Sequence, residues 1–221
     1  MNYLKRGVRK VYNTARSSFS PGVKKDVELS FWKDMIEDYT DWYNGKIQTL
    51  YGEKTPDEKD KVKVRSVKDS AILTWFKTHQ KTKYLEDLML PKDAFKNMKL
   101  LDIGSGPIPS ALAFEDCEVY NLDPLLAGYM KIGYPTHYYD RARFISSPSE
   151  NIPVEDSFFD AVISVNAIDH VDDFYKTAAE IKRVLKPEGK LRLHVHYHKK
   201  NCSRTDRDKR RDYGGGIQVV S

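Results

Sequence analysis

From Met98 to Tyr197, short apolar runs of strand length alternate with helical or turn-rich stretches, and this alternation restricts the fold more than any other feature. The candidate strands are Lys99–Ile103, Glu118–Leu122, Arg143–Ser146, Ala161–Val165 and Lys190–Tyr197. Helical pieces lie between most of them, the clearest being Asp173–Leu185. Strands joined through helices must cross over and run parallel, which puts helices on both faces of one sheet. The expectation is an α/β fold with a doubly wound, mostly parallel sheet, and no internal repeat is visible.

The residues ahead of this region have a different pattern. Trp32, Met35, Ile36, Tyr39, Trp42 and Tyr43 recur at helical spacing within 26–44, and Asn44-Gly45 is a stop signal. Residues 54–63, with Pro56 and alternating charges, read as a solvated loop. A second helix is predicted over Val67–Leu90, burying Ala71, Ile72, Trp75, Phe76, Leu85 and Leu88, with Pro91 just beyond it. These helices are too aromatic for a linker and are read as a helical N-terminal cap, 26–97, on the sheet domain, 98–198. The aromatic stripe is read as core.

The net charge of +5 conceals an asymmetry. Residues 1–25 hold seven Lys/Arg and no acid, and 199–221 hold seven Lys/Arg against three Asp, so the body between them is net acidic. The arm 1–25 has Leu4, Val8, Val11, Tyr12 and Ala15 at helical spacing, and Ser20-Pro21-Gly22 reads as the turn that ends it. Three readings of the arm stand side by side: a basic amphipathic helix on a membrane surface or nucleic acid, an organelle transit peptide, or an arm on its own domain. No apolar run approaches the ~20 residues that a membrane span needs. The absence of an apolar h-region argues against a secretory signal. Cys117 and Cys202 have neither redox nor metal-ligand spacing, so a reducing, cytoplasmic setting is expected.

The chemistry concentrates where the first strand ends, in Leu100-Leu101-Asp102-Ile103-Gly104-Ser105-Gly106-Pro107. A strand running into Gly-x-Gly allows a sharp turn and a close approach of backbone to ligand. No third glycine stands where a dinucleotide fingerprint needs it, and Asp102 sits at the turn, which suits a cationic nucleoside better than NAD. The second strand ends in Asn121-Leu122-Asp123-Pro124, and a carboxylate at that tip can accept both ribose hydroxyls. The alternative for Asp123 is an ordinary helix cap ahead of Pro124.

Four segments in order, LLDIGSGP, NLDP, SENIPVEDSFFDAVISVNAIDHVDD and EIKRVLKPEGKLRLHV, resemble successive motifs of class I S-adenosylmethionine-dependent methyltransferases. They are most similar to the small-molecule branch called methyltransferase type 11, over Met98 to His196. The resemblance implies a Rossmann-like methyltransferase fold, S-adenosylmethionine as methyl donor, and a small or medium-sized acceptor with an O- or N-nucleophile. It implies that the Gly104–Gly106 loop, with Ser105, cradles the methionine part and that Asp123 holds the ribose, with Asp102 and Pro124 as further cofactor-binding candidates. Leu122, Asp123 and Ile152 would flank the adenine, Ser149 and Glu150 would meet its edge, and Asn166 would stand beside the sulfonium. Pro148 stands where the family often has an acid for the adenine amino group. The family also continues past the fifth strand into a helix and an antiparallel pair, where this chain has a polar, basic, glycine-rich tail, 199–221. The expectation is an apparently shortened C-terminal end.

His170 falls where the family commonly places a histidine near the substrate, and a base there could take the acceptor's proton. His194, His196 and His198 alternate along the last strand and share one face. Two of them could share a metal given a third ligand such as His170 or Asp169, but no third ligand is fixed, so none is expected. His194 and His196 stand instead as alternative catalytic candidates, with Trp75, His79, Tyr138 and Tyr139 as weaker acceptor-pocket candidates. An RNA or protein methyltransferase docking through the basic ends is one alternative, although no stacking motif or helix-turn-helix accompanies them. A non-catalytic S-adenosylmethionine-binding module is a second, and a nucleotide-linked enzyme of related fold, against which the missing third glycine argues, is a third.

Overall fold

The computed structural model describes residues 21–195. His196, His198, Cys202, the arm up to residue 20 and the tail lie outside the described residues. The described chain forms two compact units, one made of residues 21–80 with Leu125–Tyr138, the other of 81–124 with 139–195.

The first unit opens with α1, Pro21–Tyr43. The sequence pattern makes Ser20-Pro21-Gly22 the end of the preceding arm, whereas the helix begins at Pro21, because a proline fits the first turn of a helix, where its missing N–H is not needed. Met35, Ile36, Tyr39, Trp42 and Tyr43 are buried as the periodicity predicts. The Trp42 indole donates to the carbonyls of Glu53 and Lys54 at 3.2 and 3.0 Å, fixing a two-stranded hairpin of β1 (Thr49–Leu50) and β2 (Glu53–Lys54). Ser66 caps α2 (Val67–Trp75) by accepting from the Asp69 N–H. The single helix expected over Val67–Leu90 is interrupted by a π-helical turn at Phe76–Gln80, where the His79 ring lies 4.3 Å from that of Trp75. Phe76 is consequently only half-buried. The last helix of this unit, α4 (Leu126–Ile132), brings Tyr129 and then Tyr134 edge-on to Trp32, with centroids 6.2 and 6.0 Å apart. Gly128 faces Leu29, where a β-carbon would come within 2.7 Å of the leucine methyl.

The second unit begins with α3, Lys81–Leu88, and holds a five-stranded sheet. Its strands are β3 (Lys99–Ile103), β4 (Glu118–Leu122), β5 (Ala142–Ile145), β6 (Phe159–Val165) and β7 (Leu185–His194). They lie in the order β5-β4-β3-β6-β7, and every pairing is parallel. The fold is therefore the doubly wound α/β sheet that the alternation predicts. The direction of winding reverses between β3 and β6, and ligands of open parallel sheets bind at such a switch point, beyond the carboxyl ends of the strands.

One face of the sheet is apolar. Leu101, Ile103, Tyr120, Leu122 and Val162 pack with Ile181 and Val184 of α5 (Phe174–Val184). The opposite face carries a register row of Asn121, Asp102 and Ile163 from three adjacent strands. β7 starts five residues earlier than the sequence suggests, because Leu185 pairs with Phe159. The register then jumps, and Lys190 pairs with Ala161, so Lys186–Gly189 bulge out of the ladder.

Candidate functional site

The turn after β3 is shaped by backbone conformations that side chains resist. Gly104 and Gly106 have φ of +71° and +64°. A β-carbon on Gly104 would sit 2.2 Å from the β-carbon of Ala167, so the turn after β3 and the turn after β6 touch at the switch point. Asn166, just before Ala167, is itself left-handed at φ +53°, and its N–H donates to the His194 carbonyl at 2.8 Å. Asn is among the few residues that tolerate this conformation. Three strand ends, β3, β6 and β7, are thus tied together by a glycine, an asparagine and an alanine.

Asp123 follows β4 and is 7 % exposed. Its Oδ2 accepts from the Gly106 N–H at 3.0 Å, and its own N–H donates to Ile145 at the end of β5. The carboxylate expected at a ribose is therefore directly beside the glycine turn. Pro124 is exposed, and Ser105 is half-buried within the turn.

Asp102 is wholly buried. Its Oδ1 accepts from the Tyr84 hydroxyl of α3 at 2.5 Å, while Oδ2 has no partner among the described residues. Burial pushes its carboxyl up to about 7, against the hydrogen bond from Tyr84, and the nearby Asp123 charge raises it further. Beside it in register, Asn121 is 1 % exposed, and neither its amide nitrogen nor its oxygen has a partner among the described residues. Buried polar atoms without partners are rare and call for an explanation, such as a ligand or water that would meet them. Burial and the Asp102 charge drive Tyr84 well above the ordinary phenol range, so it stays protonated and donates.

The loop after β5 is held from the α5 side. Glu150 Oε1 accepts from the N–H groups of Asp172 and Asp173 at 2.8 and 2.9 Å, ahead of the α5 N-cap, Asp173. The Ser149 and Thr177 hydroxyls lie 3.0 Å apart in a buried hydrogen bond. The side chains of Ser149 and Glu150 thus tie a loop to a helix, and Ile152 is buried in the apolar core. His170 is exposed in the short helix Ile168–His170, with Nε2 3.3 Å from Asp169 Oδ2. His194 closes β7. Tyr139 belongs to this unit, whereas Trp75, His79 and Tyr138 belong to the first.

The sequence-predicted groups Asp102, Gly104, Ser105, Gly106, Asp123, Pro124, Ser149, Glu150, Asn166 and His170 all follow or end strands at the same, carboxyl edge of one parallel sheet. Tyr84, Asn121 and Ala167 had no role assigned from sequence. Tyr84 stands four residues before Leu88, on the same helical face. Asn121 is a polar residue inside an apolar strand, and that was the readable signal.

A cationic nucleoside fits what is present. There is a turn whose first glycine cannot carry a side chain, a carboxylate at the second strand tip, and a buried carboxylate oxygen without a partner among the described residues. Comparison with known proteins agrees with the motifs. Residues 101–193 match the family described as "Methyltransferase domain". The chain is 29% identical over 103 residues to the Bacillus subtilis methyltransferase YcgJ, covering 45% of this chain and 41% of that protein. It is 34% identical over 94 residues to a Mycobacterium avium methyltransferase, covering 41% and 36%. The chain thus spans about two fifths of the length of the curated relatives it matches. Among solved structures, the PH0226 protein of Pyrococcus horikoshii aligns with a TM-score of 0.47 at 26% identity, over 55% of this chain and 60% of that one. The ordered motifs and the family match of residues 101–193 together support a class I methyltransferase, a class whose members depend on S-adenosylmethionine.

Proposed function

We propose that this chain, built around a class I methyltransferase domain, transfers a methyl group from S-adenosylmethionine to a small or medium-sized acceptor through an oxygen or nitrogen nucleophile. The observation that carries this reading is the Asp123 carboxylate hydrogen-bonded to the Gly106 N–H at the switch point of the sheet. When bound, S-adenosylmethionine supplies a methyl group already activated on a sulfonium, so the chain's task is alignment more than activation. Gly104 and Gly106 let the backbone approach the methionine part, and Asp123 accepts from the ribose hydroxyls. Asp102 and Asp123 place two carboxylates where a cation is to be held. Because the Glu150 carboxylate already caps the approach to α5, the adenine edge is left to backbone groups of the 148–150 loop. His170, exposed and oriented by Asp169, takes the proton from the acceptor.

Among the described residues no helix is long and apolar enough to cross a membrane. The acceptor is proposed to reach the carboxyl edge of the sheet from solvent.

Titration calorimetry with S-adenosylhomocysteine tests the reading. Wild-type protein is expected to bind at micromolar concentration, and Asp123→Ala to bind at least tenfold more weakly, about 1.4 kcal/mol. A folded wild-type protein that takes up no S-adenosylhomocysteine would overturn the proposal.

A further inference from the structure

Beneath the glycine turn, Asp102 is accompanied by buried groups to which the proposed function gives no role. Tyr84, Asp102 and Asn121 come from α3, β3 and β4, and all three are buried within one unit. The Tyr84 hydroxyl is the one donor that the described residues offer to the Asp102 side chain, while the second carboxyl oxygen and both Asn121 amide atoms have no partner there. A buried carboxylate with a single donor is costly to ionise, and a carboxylic acid in the same place is not.

We infer that Tyr84 is a positioning residue for the cofactor site, acting through Asp102 so that cofactor binding is coupled to loss of the Asp102 proton. This inference rests on the cofactor reading above and adds to it a residue outside the methyltransferase motifs. Charge carries the coupling. Asp102 stands two residues before Gly104, and a cation at that turn favours the ionised carboxyl. The hydrogen bond from Tyr84 favours the same form. Without the phenol, only the incoming cation would stabilise the charge, and the proton would leave later and at greater cost.

The surroundings of Asp102 are few. From α3 comes Tyr84, which also feels Asp87, itself ion-paired to Lys83. From the end of β4 comes Asp123, whose charge opposes ionisation. From β4 itself comes the uncharged Asn121, and from β6 the apolar Ile163. Arg192 of β7 follows Ile163 in the same row, one strand farther out. No cation stands next to Asp102 in register, which leaves the phenol as the tuning group. With the carboxyl near 7, the free protein at neutral pH holds a mixture of acid and carboxylate.

Calorimetry in buffers of different ionisation enthalpy counts the protons released as S-adenosylmethionine, whose sulfonium supplies the cation, binds with no acceptor present. At pH 7 wild-type protein is expected to release about half a proton per site, falling toward zero by pH 8.5. Tyr84→Phe, which keeps the ring and removes the donor, is expected to release nearly one proton at pH 7. It should also bind roughly fivefold more weakly there, for a rise of about one unit in the Asp102 titration, with the deficit shrinking below about twofold by pH 8.5. Asp102→Asn is expected to release none at either pH. Carboxyl NMR of the ligand-free proteins gives a second readout: the Asp102 resonance should titrate near neutrality and move upward in Tyr84→Phe. If wild type binds but Tyr84→Phe shows the same proton count and pH profile, the role of Tyr84 is overturned while the cofactor reading stands. Equal proton release in Asp102→Asn overturns the assignment to Asp102. Wild-type protein that binds at no pH overturns the cofactor reading and this inference with it.

Discussion

Gly104 carries two demands that no other residue type meets together. Its φ of +71° disfavours any side chain, and its α-carbon lies where a β-carbon would overlap Ala167. Gly104→Ala is expected to destabilise the protein by at least ~2 kcal/mol in urea unfolding, from the left-handed conformation and the clash combined. The two causes separate in a second variant. Ala167→Gly removes the opposing carbon, so the double variant should recover the steric share and keep the conformational one. If the double variant is no more stable than Gly104→Ala alone, the contact between the two turns is not what excludes a side chain. The local pattern made Gly104, Gly106 and Asp123 readable, since a strand, a glycine turn and a carboxylate at the next strand tip are all short-range features. Tyr84 was not readable, because its partner Asp102 is 18 residues away and only the packing of α3 on the sheet joins them. The side-chain engagement of Glu150 is not legible in the sequence for the same reason, its partners Asp172 and Asp173 lying 22 and 23 residues on.

At the scale of the elements, α5 is anchored through Arg183. Its guanidinium donates to the Ile152 and Val154 carbonyls, pairs bidentately with Glu180, and reaches Asp156 at 2.9 Å. One side chain therefore fastens the loop between β5 and β6 to the helix that covers the apolar face. Arg183→Ala is expected to cost about 2–3 kcal/mol in denaturant unfolding. Arg183→Lys should restore less than half of that, because an ammonium lacks the planar fork that serves four partners at once. Restoration to wild-type stability by lysine would show that charge alone suffices. The sequence located these elements unequally. Lys99–Ile103 and Glu118–Leu122 are strands to the residue, and α5 spans Phe174–Val184 with Asp173 as its cap, because each couples a strong apolar pattern to a clear boundary. The start of β7 was hidden by Lys186-Pro187-Glu188-Gly189, which has turn composition and is a bulge between two paired stretches. The π turn at Phe76–Gln80 was equally hidden, since a helical pattern read at 3.6 residues per turn does not report a local change of winding.

At the scale of the whole molecule, neither unit is a continuous stretch of sequence. The first takes α4 from between β4 and β5, where Leu126, Tyr129 and Tyr134 are buried, the two tyrosines against Trp32 of α1. A fragment beginning at residue 81 keeps those side chains and loses their partners. It is expected to expose them, which aniline-naphthalene sulfonate fluorescence would register as strong dye binding absent from the full chain. A fragment that stays monomeric and excludes the dye would show that α4 finds other cover. The alternation of strands and helices announced the sheet, but it could not announce that one of its crossovers belongs to another unit, because that allocation depends on contacts some hundred residues apart.

The bond between Gly106 and Asp123 is made within the chain itself, and under the proposed function it bears on how quickly a nucleoside would be captured. The turn loses its conformational freedom when the chain folds, so little ordering remains for the moment of encounter. Under the proposed function, capture would then resemble a key entering a cut lock, with diffusion and orientation setting its rate and residence time carrying the differences between one adenosyl compound and the next.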